Sequence, residues 1–268
     1  MESRVAIVTP CYKERLSNYE EISLRQLNIV LSAYPKVFFM PEGSSFGYIP
    51  HEKVDTIHFK KEYFSDIHGY NRLLTSMEFY ERFEEYEYIL IAQPDTFVFS
   101  DQLVEWCQKK YDYVGAPWTF EVSDYSHTRD YLPLLHRYAC LKKWRGLFGQ
   151  DYLVGNGGFS LRRVETFIRI LRDFPQKIKE FSEWSGALRR QGVSAAENED
   201  NFWALFVPKF YKQFKIPKFK EALQFAFEVD PAYCYARNGQ RLPFGCHDWA
   251  KHGLDFWKQF IQQSGFSV

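Results

Sequence analysis

The sequence is poor in cysteine and methionine, with five and three residues among 268. The cysteines are odd in number, widely spaced and without a C-x-x-C pair. This pattern argues against a disulfide scaffold and against a zinc knuckle, and it favours a reducing cytoplasm.

The sequence also lacks net charge, because 34 basic residues balance 34 acidic ones. A chain with no net positive field has little to attract nucleic acid, which is disfavoured as a partner. No apolar run approaches the ~20 residues that span a bilayer, and the strand-like Val5–Val8 begins too early for a signal peptide. We therefore expect a soluble protein.

The Lys-rich segment Lys209–Lys220 either lies on an anionic membrane or forms an ordinary basic edge, and the edge is favoured.

Aromatic residues are abundant, at 19% of the chain. Most are expected in the core, although aromatic planes also stack on sugars and bases. A chain of this length can form one large domain. Short apolar segments alternate with helical periodicity, which predicts an α/β fold with a mostly parallel sheet. The expected strands are Val5–Pro10, Lys36–Pro41, Val54–Phe59, a run from Tyr88 that ends at Asp95, Tyr113–Trp118 and Phe225–Val229. From Thr119 to Gln150 the periodicity is lost, which predicts a long excursion over the site.

The apolar run at Tyr88–Ala92 is followed by a single carboxylate, Asp95. In open α/β sheets ligands bind outside the carboxyl ends of the strands, so this acid stands where a metal or a sugar would be held. The alternative is that Asp95 only turns the chain toward the helix beginning near Asp101.

Two further segments of the first half carry candidate donor-binding residues. The loop after the first strand contains Thr9, Tyr12 and Arg15, which either cradle a nucleotide or are simply solvated. Asn71 and Arg72 lie off the apolar stripe of a predicted helix that Ser65 can cap.

A glycine-rich bend, Val154-Gly-Asn-Gly-Gly-Phe159, forms the second organised stretch. Asn156, Gly157 and Gly158 allow a ligand to approach the backbone closely, or they form a tight turn only. The spacing is not that of a dinucleotide fingerprint, and the following residues are typical of a strand.

Three acids, Glu197, Glu199 and Asp200, open a short predicted helix. Acids are favourable at a helix N-terminus whatever their function, but a cap needs only one. His247 precedes the last predicted helix and is either a packed residue or a ligand acting with Asp95. In the second case we expect the two side chains to lie side by side.

The motifs ending in Asp95, Trp118, Arg162, Asp200 and His247 occur in the same order in an uncharacterised glycosyltransferase-like family associated with bacterial surface-polysaccharide synthesis. The chain resembles this family over most of its length, and the family resembles GT-A glycosyltransferases. The resemblance implies a Rossmann-like half that binds a nucleotide sugar, residues 1–118, and an acceptor-side catalytic half, residues 119–268, within one domain.

By the same resemblance, Asp95 and His247 hold a divalent cation, Mn²⁺ or Mg²⁺, against the donor diphosphate, a task that suits carboxylate oxygens. Asp200 is assigned as the general base of an inverting transfer, with Glu199 and Glu197 as alternates. The strand carries one acid where the usual motif, Asp-x-Asp, has two.

The implied function is transfer of a sugar from a UDP-, GDP- or dTDP-linked donor to a saccharide or lipid-linked saccharide acceptor, in O-antigen or capsule synthesis. The expected place is the cytoplasm, including the inner face of the cytoplasmic membrane. Two rivals stay open: a nucleotidyltransferase on a similar fold, which needs no Asp200 base, and a non-catalytic saccharide-binding or scaffold protein.

Overall fold

The computed structural model describes residues 4–49, 54–119, 154–190 and 197–268. The excursion predicted for Thr119–Gln150 therefore lies, apart from Thr119, outside the described residues. The strands are β1 (Val5–Pro10), β2 (Lys36–Pro41), β3 (Val54–Phe59), β4 (Tyr88–Ala92), β5 (Phe97–Val98), β6 (Tyr113–Val114), β7 (Phe159–Arg163), β8 (Ala226–Phe227) and β9 (Gly245–Cys246).

The helices follow the predicted alternation with the strands in the first half. They are α1 (Asn18–Val30), α2 (Ile67–Leu73), α3 (Met77–Glu81), α4 (Leu103–Gln108), α5 (Val164–Asp173), α6 (Pro175–Arg190), α7 (Glu199–Asn201), α8 (Val207–Phe210), α9 (Phe219–Phe225), α10 (Pro231–Arg237) and α11 (Leu254–Gln263). A 3₁₀ turn at Lys61–Phe64 precedes α2, and a π-helical turn at Phe202–Phe206 links α7 to α8.

The central sheet has six strands in the order β3-β2-β1-β4-β7-β6. Strands β1 to β4 pair in parallel, whereas β7 runs antiparallel to both of its neighbours. The predicted α/β class with a mostly parallel sheet is confirmed. Because β1 and β4 are parallel neighbours, the loops that follow them meet at one edge of the sheet.

Strands β1, β2 and β4 of the central sheet are buried on both faces, which explains their almost continuous apolar sequences. Along β1, Ala6 and Val8 pack into one core cluster and Val5 and Ile7 into the other. A third cluster, around Trp257, packs beneath a small sheet of β5, β9 and β8. This small sheet places the segment after β9 beside the loop after β4.

Several expected elements differ from the structure. The strand expected to end at Asp95 already stops at Ala92, because a turn at Pro94 and Asp95 follows and leads to β5, which belongs to the other sheet. The cap of α2 is not Ser65 but Asp66, whose carboxylate accepts a hydrogen bond from Gly69 N at 2.7 Å. Within the described ranges, no helix is both long and apolar enough to cross a bilayer.

Candidate functional site

Asp95 lies in the turn that follows β4, at the edge where the parallel strands end. Its side chain is 35% exposed, and its Oδ1 atom is 3.3 Å from His247 Nε2. Burial acts to raise the pKa of Asp95, but the charge and hydrogen bond of His247, with help from Lys13, outweigh burial and lower that pKa. The carboxylate is therefore ionised in the neutral range.

His247 follows β9 directly, and its backbone N–H donates to Phe227 O, which fixes the ring beside the loop after β4. The prediction that His247 lies next to Asp95 is confirmed. Its Nε2 atom is also 3.0 Å from Gln93 Oε1, and its Nδ1 atom is 3.1 Å from Glu228 Oε1. Burial acts to lower the pKa of His247, but Asp95 and Glu228 outweigh it and raise that pKa well above 6.5.

The glycine-rich bend brings this cluster against the backbone. A Cβ at Gly158 would overlap the His247 ring, so only glycine allows the imidazole to lie there. Gln93 N donates to Gly158 O at 2.9 Å, and Gly158 N donates to Asn156 Oδ1 at 3.0 Å. The bend is thus tied to the end of β4 by a main-chain hydrogen bond.

Asp200 lies on the other side of the same bend. Gly157 N donates to Asp200 Oδ2 at 3.3 Å, and a Cβ on Gly157 would come within 3.3 Å of Asp200 Cβ. Burial, Glu199 and Glu228 together raise the pKa of Asp200 to about 8. The protonated form of Asp200 therefore predominates at pH 7, and the ionised form, which increases as the pH approaches 8, is a stronger base than an ordinary carboxylate.

The other two acids at this helix start are engaged in ion pairs. Glu199 is buried and accepts hydrogen bonds from Arg162 Nη2 at 2.6 Å and Nη1 at 2.9 Å. Glu197 pairs with His68 at 2.5 Å and with Arg189 at 3.3 Å. These partners favour Asp200 over its neighbours as the proton acceptor.

The candidates in the first half are placed unequally. Thr9 is buried at the end of β1, and Tyr12, half exposed, interacts electrostatically with Asp95. Asn71 has a structural contact instead of a free side chain, because its Oδ1 accepts a hydrogen bond from Glu199 N at 3.1 Å and so caps α7. Arg15 and Arg72 are exposed, and no contact within the described ranges joins either of them to Asp95.

Trp118 and Trp249, two aromatic residues of the kind that can stack on sugars, differ in exposure. Trp249 is fully buried and donates from Nε1 to Ser23 Oγ at 2.8 Å, so it packs in the core. Trp118 is half-buried beside Gly155.

Three residues near Asp95 were not singled out from the sequence. Gln93 occupies the place of the missing first acid, and Lys13 pairs with Glu20 at 2.5 Å within electrostatic range of Asp95. Glu228 falls within the strand predicted at Phe225–Val229 and in the structure directly follows β8, so no signal in the sequence distinguishes it.

The groups around Asp95 fit a divalent cation in part. The Oδ1 atom of Asp95 is shielded from solvent and stands 3.3 Å from His247 Nε2, which is 3.0 Å from Gln93 Oε1. Adjacent ligands of an octahedral ion are about 3 Å apart, given metal–oxygen distances of about 2.1 Å. In the part of the chain that the structure describes, no three His, Cys, Asp or Glu side chains form a metal site. Donor phosphates and water would have to complete the coordination.

The fold is similar to those of solved glycosyltransferases. The bifunctional glycosyltransferase WbbM matches with a TM-score of 0.50 and 12% identity, over 97% of this chain and 50% of that one. The galactosyltransferase LgtC, in complex with donor and acceptor sugar analogues, matches at 0.45 and 14%, over 96% and 95%. Mouse xyloside xylosyltransferase 1 matches at 0.47 and 11%, over 90% and 96%.

At these identities a likeness concerns the fold alone, and the match to WbbM agrees with the GT-A-like arrangement of the sheet. No curated protein matches the sequence. Residues 53–247 match the model of DUF5672, a protein family of unknown function. The match begins after the loop of Thr9 and Tyr12 and ends at His247, and it includes Asp95, Asp200 and Glu228. Because it covers more than half of the chain, the chain belongs to the DUF5672 family.

Proposed function

We propose that this protein is a glycosyltransferase that moves a sugar from a nucleotide-sugar donor to a saccharide or lipid-linked saccharide acceptor, with inversion at the anomeric carbon. The observation that carries the proposal is the pair of glycines between two acid sites. Gly158 lies against the ring of His247, which in turn contacts Asp95, whereas the next residue back, Gly157, lies against Glu199 and Asp200. A leaving diphosphate and an acceptor hydroxyl require such groups a few ångströms apart.

Asp95, His247 and Gln93 would hold the divalent cation, Mn²⁺ or Mg²⁺. When bound, the cation neutralises charge on the departing diphosphate. His247 must release its Nε2 proton before that nitrogen can ligate, while Nδ1 keeps its proton for Glu228. Lys13 and Tyr12 border the same edge and would contact the donor from the loop after β1.

Asp200 would accept the proton of the acceptor hydroxyl as the glycosidic bond forms. The raised pKa supports this role, because it makes the carboxylate more basic than an ordinary Asp. The missing side chains of Gly157 and Gly158 let Asp200 and His247 approach the bend from its two sides, and the donor sugar would lie between Asp200 and the cation. Thr9, Asn156 and the exposed Arg15 and Arg72 remain proposed donor contacts, and Asn71 acts through α7.

The acceptor and the biological setting rest on the resemblance of the motifs to a surface-polysaccharide family. We accordingly place the enzyme in O-antigen or capsule synthesis, with a UDP-, GDP- or dTDP-linked donor, in the cytoplasm. The segment Lys209–Lys220 leaves its five lysines exposed and buries Phe214 and Phe219. Exposed lysines of this kind support contact with the anionic inner face of the membrane.

The test incubates the purified protein with UDP-, GDP-, CDP- and dTDP-sugars, with and without Mn²⁺, and measures free nucleoside diphosphate and transfer to added saccharides. Asp95→Asn should abolish Mn²⁺-dependent stabilisation by the diphosphate product. Asp200→Asn should bind that product normally, yet lose transfer by about 10²–10⁴-fold. Asp101→Asn is the matched control, because it removes an exposed carboxylate six residues from Asp95.

Each rival gives a different result. Release or consumption of pyrophosphate would identify a nucleotidyltransferase. Binding of saccharide without any turnover of a donor would identify a scaffold. Unchanged transfer by Asp200→Asn would refute the base assignment, and Glu199→Gln and Glu197→Gln would then show whether a neighbouring acid acts instead.

A further inference from the structure

Glu228 stands between the two halves of the candidate site. It is the first residue after β8, which pairs with β9, and His247 is the first residue after β9. The pairing of these two short strands therefore holds the two side chains next to each other. Glu228 is 12% exposed in its side chain.

One oxygen of Glu228 receives two hydrogen bonds. Oε1 accepts from Asn156 Nδ2 at 2.8 Å and lies 3.1 Å from His247 Nδ1. Asn156 must present its amide nitrogen here, because its oxygen accepts from Gly158 N. A carboxylate cannot donate, so the proton of the second hydrogen bond is on Nδ1 of the histidine.

This contact determines what the other nitrogen of His247 does. With Nδ1 turned to Glu228, Nε2 is directed at Asp95 and Gln93. We infer that Glu228 is a positioning residue, which holds His247 with Nε2 toward Asp95 and holds Asn156 against the glycine bend, so that binding of a divalent cation depends on it. The inference rests on the proposed function, because it concerns the cation site described there.

A carboxylate behind a ligating histidine fixes the ring orientation and increases the basicity of the ligating nitrogen. Removing such a partner costs about 10–100-fold in metal affinity. Glu228 would also attract a cation by charge alone, so the experiment must separate the hydrogen bond from the charge.

Two uncharged variants of similar size make that separation. Glu228→Gln keeps an oxygen at the Oε1 position, because both of its partners donate and thus fix the amide orientation. Glu228→Met is uncharged like Glu228→Gln and has a side chain of similar length, but it offers only a weak thioether acceptor. Mn²⁺ is titrated into each purified protein, and free Mn²⁺ is measured by electron paramagnetic resonance.

We expect Glu228→Met to bind Mn²⁺ about 10–100-fold more weakly than Glu228→Gln, because Glu228→Gln loses the charge of Glu228 but keeps its hydrogen bonds. Glu221→Gln is the control, because Glu221 pairs with Lys109 and Tyr111 away from His247. Melting temperatures without metal identify any variant that does not fold, and Glu228→Ala then replaces Glu228→Met in the comparison.

Equal Mn²⁺ affinity of the Gln and Met variants would overturn the inference. The parallel variants Asp95→Asn and His247→Ala show whether the cation site itself exists. If these two lose Mn²⁺ while Glu228→Met binds normally, only the role of Glu228 is wrong. If both bind Mn²⁺ like the wild type, the cation site of the proposed function is wrong and the positioning role falls with it.

Discussion

Asp200 has a pKa near 8, against an ordinary value of 3.8, because burial and two neighbouring acids oppose its charge. The folded chain therefore holds the Asp200 proton at pH values where the unfolded chain has released it. Stability from this group is complete below about pH 4 and is lost as the pH rises through about 8. The Asp200→Asn variant has no group that ionises at this position, so it does not lose stability in this way as the pH rises. We expect the variant to melt above the wild type at pH 8.5, and the difference to shrink toward pH 5, as measured by calorimetry.

A matched variant should show the opposite sign. The hydrogen bond from Gly69 N lowers the pKa of Asp66, so that carboxylate stabilises the fold above its unfolded pKa. Asp66→Asn should melt slightly below the wild type, with the deficit present at pH 5 and lost in stronger acid. A melting difference for Asp200→Asn that is constant from pH 5 to 8.5 would contradict the raised pKa.

Residues of the candidate site could be predicted from the sequence only where the residue's own position in a motif or at a strand end pointed to a function. Asp95 ends an apolar run, and the motif order links it to His247, although 152 residues separate the two. Glu228 gave no such signal, since its importance depends on Asn156, 72 residues away, and on His247, 19 residues away. The contact between Glu228 and His247 depends on the pairing of β8 with β9. Strands of only two residues are too short to be predicted from a sequence pattern.

At the scale of single elements, the glycine bend before β7 should be as important as any acid. Gly158→Ala would push the His247 ring aside, because the new methyl group overlaps it. We expect loss of Mn²⁺ binding with every proposed ligand still present, measured by the same titration. Gly47→Ala is the matched control, because a Cβ there meets nothing within 4 Å. Normal Mn²⁺ binding by Gly158→Ala would show that the ring does not need its present position.

Strand β7 is joined to α7 by a buried ion pair between Arg162 and Glu199. Arg162→Met would leave the Glu199 carboxylate buried without its partner, at a cost of about 3–5 kcal/mol in the free energy of unfolding. Adding Glu199→Leu should recover much of that loss, because both charges are then removed. Urea denaturation measures both variants.

An exposed pair supplies the comparison for this prediction. Lys177→Met breaks a partly exposed contact with Glu180 and should cost no more than about 1 kcal/mol. Equal losses for Arg162→Met and Lys177→Met would mean that the Arg162 pair contributes no more than a surface contact.

The elements themselves were largely predictable, whereas their places in the sheet were not. Apolar runs revealed β1, β2 and β4, which are almost wholly buried, whereas β3 keeps only Phe59 buried and was recognised by the Pro and Gly residues around it. Nothing in Phe159–Arg163 predicts that this strand enters the sheet between β4 and β6, antiparallel to both. The charge of Arg162 is evidence against a central place in the sheet for this strand. Its guanidinium can be fully buried there because it pairs with Glu199, which lies on another element.

The whole molecule was predicted as one domain with halves 1–118 and 119–268, and the sheet order bears on how such halves would behave. Strand β6 belongs to the first half but pairs in the sheet only with β7 of the second. Both core clusters that flank the sheet also draw side chains from the two halves, among them Phe159, Leu161, Phe167 and Trp203. The first half alone would expose β4 along one edge and on parts of both faces.

We therefore expect fragment 1–118 not to fold by itself, and the full chain to unfold in one transition. Far-ultraviolet circular dichroism and tryptophan fluorescence should give the same midpoint in urea for the full chain, because Trp106 lies in one half and Trp203 and Trp257 in the other. Mixing fragments 1–118 and 119–268 should restore the dichroism that fragment 1–118 lacks, since each supplies strands that the other needs. A dispersed amide spectrum from fragment 1–118 alone, or two separated urea transitions for the full chain, would contradict a single domain and show that β7 joins a sheet that is already stable.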